Sequence, residues 1–409
     1  MENQSSLSII FPLVPLFVGI AWKAAKPSFS SLKTVGLATI AILILFLCLT
    51  GETDLSVRFL AFAVLLSGFC TLFPQEKSPQ AAQVCTSSLI TLGLALGTLL
   101  NPGLMGRLFL CGFLGYTAYS LNHGKSRSFR TSLILIHFIV AIVLALTSAI
   151  GGDSLRILAG LFLAVTFLPL VPFHLPFVGT VAGTQGALAS FSIVVWLAIG
   201  LAELNTIYSL LSDETLFAVS LLALVSALYS SLAALGQRQG NVFVAAATVA
   251  YISLVWGLLN IFPGFPSWGI AFGIAVAFVL AGVCLAFSFV RQRYGSQTIG
   301  QLPGLATPMP RFGTLMVLLV AFTLFLPMFP TFSGLTSMPM AGSLDLGFVT
   351  VFLLFFSVWL GGGWFFLQML HQTAFGAARA GVPYTDLKAK EIVAVSALLI
   401  GAGYSGLFY

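Results

Sequence analysis

Charge is what this sequence has least of. Asp, Glu, Lys and Arg make up 7% of its 409 residues, against roughly a quarter in a soluble globular domain. A chain this poor in charge cannot dress a globular surface in water, which excludes a soluble domain anywhere along it. Soluble-enzyme signatures are missing too: there is no GxGxxG, no GxxxxGK[ST] and no HExxH. The cysteines Cys48, Cys70, Cys85, Cys111 and Cys284 lie within or at the ends of apolar runs and never in CxxC spacing, so they read as packing residues rather than metal ligands or redox pairs. No metal site and no bound cofactor are expected of this chain. The net charge of +6 is scattered over short loops instead of forming one patch, which argues against a nucleic-acid partner.

What the sequence has in abundance is hydrophobic run. A bilayer core of about 30 Å needs roughly 20 apolar residues per helix. Such runs are placed at 7–22, 34–50, 56–73, 83–100, 104–121, 131–150, 157–172, 181–202, 215–235, 242–262, 267–290, 312–330, 346–370 and 392–407. The first has no preceding cationic segment and no small-residue cleavage pattern, so it reads as a membrane helix rather than a cleaved signal. The charges test the placement independently. With about fourteen spans, 14 of the 17 basic residues fall on one side, and the other keeps Arg58, Arg107 and Arg156. That second side also takes 8 of the 11 acids, among them Asp153, Glu203, Asp213 and Glu214. The positive-inside rule makes the basic side cytoplasmic and puts both termini outside. The expected fold is an all-α polytopic membrane protein, a single domain over 1–409, in an inner (cytoplasmic) bacterial membrane.

Two runs are interrupted. One is "PFHLPFVGTVAGTQG" and the other "LPMFPTFSGLTSMPMAG", residues 326–342. Non-helical backbone at membrane depth survives only where protein or a water-filled cavity covers it. A pair of interruptions in two parts of a chain points to two discontinuous helices and inverted internal repeats. The division expected is N-terminal helices over 1–82, a first repeat over 83–235, a second over 236–370 and a C-terminal helix over 371–409. Pro-rich turns between ordinary helices are the alternative the sequence leaves open.

Three stretches in order resemble the antiporter-like membrane subunits of respiratory complex I, Mrp-type cation/proton antiporters and membrane-bound hydrogenases. "PFHLPFVGTVAGTQGALAS" looks like the family's PFHxWLPxA followed by APTxxS, with His174, Pro176 and Thr184 on its histidine, proline and threonine. "LPGLATPMPRFGTLMVLLVAFTLFLPMFPTFSGL" is similar to GLxxxMP, an apolar helix and GLPPxxGFxGE. "WFFLQMLHQTAFGAARAGVPYTDLKAKEI" is close to an aromatic-rich helix ending in RMLxxxxFG, then DLxxRE. Together they run from about Leu168 to Ile392.

The resemblance implies proton transfer along a mid-membrane row of ionisable residues, and here the sequence departs from the family. Trp196 stands where the family has a buried lysine, Leu335 where the second broken helix carries an acid or lysine, and Cys111 and Gly112 around the place of a glutamate. At the second lysine site only Tyr251 and Ser253 are polar. Trp, Leu and Cys offer no carrier comparable to a tuned lysine or glutamate. The remaining proton-path candidates are His174, Gln185, His137, His371, Tyr251 and Glu203, with His174 first because it sits at a break and titrates near neutrality. Glu203, Asp213 and Glu214 read as a solvated acidic rim, and "HGKSRSFR", 123–130, as a topology anchor or a docking surface.

Three functions follow. The first is a divergent subunit of a complex-I-related, proton-coupled assembly with other membrane and soluble subunits, its relay reduced or replaced by a scaffold role. Such a chain is not catalytic by itself and is at most part of an NADH:quinone oxidoreductase-like translocase. The second is the membrane subunit of a DAB-type inorganic-carbon uptake complex whose zinc, carbonic-anhydrase-like partner supplies the metal ligands. The third is a purely structural membrane subunit.

Overall fold

The computed structural model describes residues 6–25, 28–49, 54–122, 129–260, 262, 264–328 and 346–407. Fifteen α-helices and no strand occur among the described residues. They are α1 (Ser6–Ala25), α2 (Phe29–Leu49), α3 (Leu55–Leu72), α4 (Pro79–Leu100), α5 (Gly103–Asn122), α6 (Phe129–Ile150), α7 (Asp153–Phe167) and α8 (Leu175–Gly183). After these come α9 (Ala187–Ile207), α10 (Asp213–Gly236), α11 (Gly240–Leu258), α12 (Phe265–Tyr294), α13 (Pro310–Phe325), α14 (Leu346–Thr373) and α15 (Ala389–Leu407). Each of the fourteen expected segments coincides with one helix, except that 181–202 begins in α8 and continues in α9. Ten of the helices are long and apolar enough to cross a membrane, and the chain is an integral, polytopic, all-α membrane protein.

Lipid as solvent decides which helices go where. A helix that is apolar all round gains nothing by facing lipid rather than protein, so small and polar side chains mark where helices meet. α9, α11 and α12 are buried on all sides and form the axis of the bundle. α9 packs against α3, α4, α7 and α12, while α10 packs against α11 and α14. α2, α6 and α10 lie outermost, with Ile42, Ile139 and Leu232 facing out.

The first interruption is real. α7 stops at Phe167, the chain turns through 168–174, α8 runs nine residues, and a second stop at 184–186 precedes α9. Gly186 has φ +57° and ψ −141°, a backbone state in which a side chain is strained. Residues 329–345, which hold most of the second interruption and Leu335, lie outside the described residues, as does most of "HGKSRSFR".

Candidate functional site

Breaking a helix inside a bilayer strands backbone carbonyls that water cannot reach. Around the first break several such groups have a protein partner. At the end of α7, Leu168 N–H donates to the Ala164 carbonyl at 2.7 Å and Leu170 N–H to that of Val165 at 3.3 Å. The next carbonyl, Thr166, accepts from Trp196 Nε1–H at 3.1 Å, and Leu168 accepts from Trp256 Nε1–H at 2.9 Å. Val171 N–H donates to Ser226 Oγ at 2.8 Å. Beyond α8, Asn241 Nδ2 donates to the carbonyls of Val181 at 3.3 Å and Thr184 at 3.4 Å, while its Oδ1 accepts from Cys284 Sγ at 3.6 Å. Gly200 lets α9 cross the end of α7: a Cβ there would stand 2.8 Å from Leu168 N.

Trp196 is fully buried. Its ring is surrounded by Phe167 at 4.8 Å, Phe113 at 5.7 Å, Phe138 at 6.0 Å and Phe177 at 6.2 Å between centroids. Phe113 is the α5 residue in that cage, whereas Cys111 is half-buried and Gly112 is exposed. Tyr251 of α11 repeats the device. Tyr251 is fully buried, its hydroxyl donates to the Thr323 carbonyl near the end of α13 at 2.9 Å, and Phe365 and Phe366 cross its ring edge-on. Ser253 donates to the Val249 carbonyl within its own helix.

The other candidates do not gather into one path. His174 caps the start of α8, lies 5.8 Å from the Tyr229 ring, and has a buried Nδ1 without a hydrogen-bond partner. His137 is close enough to interact with it electrostatically and contacts the Leu133 carbonyl through Nδ1 at 2.9 Å. Gln185 is exposed at the break, and His371 is exposed in the last turn of α14.

Glu203 differs from its expected place on a solvated rim. It is buried, only 6% exposed, and accepts from Arg107 at 2.5 Å, pairing α9 with α5 across 96 residues. Its second oxygen, Oε2, is buried with no partner. Sequence reasoning assigned Arg107 only to topology and passed over Asn241 and Trp256. A lone amide in the otherwise apolar run of α11 was the available signal for Asn241.

Comparison of the sequence with family models and with curated proteins finds no match. Comparison of the fold does. A chain of respiratory complex I from Thermus thermophilus with bound NADH matches with a TM-score of 0.78 at 16% identity, covering 98% of this chain and 96% of that one. A chain of the membrane-bound sulfane sulfur reductase, an archaeal respiratory membrane complex, matches with a TM-score of 0.74 at 14% identity, covering 96% of this chain and 74% of that one. At these identities the likeness is one of fold. The chain shares its fold with these chains of two respiratory complexes.

Proposed function

We propose that the chain is an antiporter-like membrane subunit of a complex-I-related, proton-coupled assembly, in which it serves chiefly as scaffold and retains at most a reduced proton route. One observation carries the reading. Trp196, at the position where the resemblance expects a buried lysine, spends its only polar hydrogen on the Thr166 carbonyl inside a cage of four phenylalanines. No group in that cage takes up a proton near neutral pH. Any reduced route is left to His174, whose buried Nδ1 has no hydrogen-bond partner, and to its neighbour His137. The gathering of Lys and Arg on one side supports a cytoplasmic placement of that side in a bacterial inner membrane, with the chain ends opposite. Its partners are other membrane and soluble subunits.

The test is to isolate the chain with its partners, identify them, and reconstitute the isolated chain in vesicles holding a pH dye. The expected result is no proton leak beyond that of empty vesicles, and no change with His174→Ala. A leak through the isolated wild-type chain would sink the scaffold role. Co-purification with one large zinc protein, in place of quinone and iron-sulfur subunits, would move the chain to inorganic-carbon uptake.

A further inference from the structure

On the outside of the bundle, an apolar stripe of α3 lies between α2 and α15 and ends among lysines. α3 packs its inner faces on α4, α9 and α12 and is flanked by α2 and α15. Along α3, Phe59, Phe62, Leu66, Phe69 and Phe73 recur at helical spacing and are all half-buried, so they form one stripe reaching the surface between the flanking helices. Leu66 packs over Gly401 of α15, and Leu72 over Gly36 of α2. Phe69 and Phe73 stack at 5.1 Å. Beside the stripe, Val393 and Ile400 of α15 add exposed apolar surface.

At the basic-side end the stripe runs into lysines. Lys33 lies in the first turns of α2, Lys77 in the loop before α4, and Lys388 and Lys390 at the entry to α15. Lys388 holds Glu76 at 2.6 Å. Lys33 Nζ has a neutral partner, the Gln75 carbonyl, at 2.7 Å, and Lys390 is near enough for its charge to act on it. The other acids here are already engaged: Glu391 pairs with Arg293 at 2.5 Å, and Asp386 accepts from the backbone N–H groups of Arg311, Phe312 and Leu387. Backbone N–H groups leave the Asp386 charge in place, so four lysines face two carboxylates, Glu76 and Asp386, a local excess of two positive charges (4 − 2).

We infer that this surface holds an anionic phospholipid, with its phosphodiester among Lys33, Lys77 and Lys390 and an acyl chain along the α3 stripe. A soluble anion uses only the lysines, and a zwitterionic lipid brings its own cation to them. An anionic lipid uses both parts, because juxtamembrane lysines attract anionic headgroups while the apolar stripe accepts the chain.

Native mass spectrometry of the full chain, titrated with phosphatidylglycerol or phosphatidylethanolamine of the same acyl chains, tests this. The wild type should prefer phosphatidylglycerol by about tenfold. Lys33→Gln with Lys390→Gln should abolish the preference, and Leu66→Trp, which enlarges a side chain of the stripe, should weaken both lipids. Millimolar inorganic phosphate should not displace the bound lipid. Equal binding of the two lipids by the wild type, or a preference that survives in the double variant, overturns the proposal, as does displacement by phosphate. In the assembled complex a photo-crosslinker at position 69 should label lipid, and an adduct with a protein helix overturns the proposal too. The lysine arm stands by itself if Leu66→Trp does not fold.

Discussion

Two levels of the same pair of helices solve opposite problems. At one level Trp196 of α9 and Phe113 of α5 meet in an aromatic cage with no charge. Seven residues further along α9, a distance of about 10 Å on a helix, Glu203 pairs with Arg107 of the same α5. The first level closes the middle of the bundle and uses an indole N–H to cap a broken helix. The second keeps a buried charge, but only as an ion pair nearer the acidic end. The lesson is that a membrane chain can keep an interrupted helix while dispensing with ionisable groups at the interruption, provided neutral donors satisfy the stranded carbonyls.

Substitutions at the two levels sharpen the contrast. Trp196→Ala should have the largest effect, a loss of about 4 kcal/mol from the cavity and the lost cap, read as thermal unfolding in detergent. Trp196→Lys should cost stability as well and give no proton flux in vesicles, because no partner in the cage receives the charge. Arg107→Ala should follow at about 3 kcal/mol, since it leaves Glu203 buried and unpaired. Combining it with Glu203→Leu should recover most of the loss, and failure to recover would show that Arg107 acts by more than its charge. Asn241→Leu should cost about 2 kcal/mol by freeing the Val181 and Thr184 carbonyls, and its amide protection near the break should fall in hydrogen exchange.

The smallest effect belongs to the exposed pair at the basic end. The Lys388 hydrogen bond holds the Glu76 carboxyl below its ordinary value. A depressed folded value means the contribution is fully present above the ordinary glutamate pKa and is lost as pH falls through the depressed one. Glu76→Gln should remove that acid-side dependence while costing under about 1 kcal/mol at neutral pH, measured as unfolding temperature against pH.

The helices were legible because each span answers to one local demand, about 20 apolar residues. The interrupted region was legible in its prolines and glycines, but the expected helix over 181–202 ran across the stop at 184–186. The site was legible only in its negatives. Trp196 and Tyr251 could be seen to lack the lysine's chemistry, but their hydrogen bonds to carbonyls 30 and 72 residues away could not be seen. Glu203 looked like rim because nothing near it in the chain announces Arg107.

By itself, then, the sequence determined an all-α membrane bundle, the places of its helices and the region where one span breaks. Tertiary structure alone decided what the break is for in this chain. It brought α5, α6, α7, α8 and α9 together to shut an aromatic cage, set Asn241 under the carbonyls of α8, and buried an ion pair between residues 96 positions apart. The physical reason is the range of the forces. Transfer into lipid acts on each segment separately, whereas the pairing of buried polar groups depends on which distant segments pack side by side.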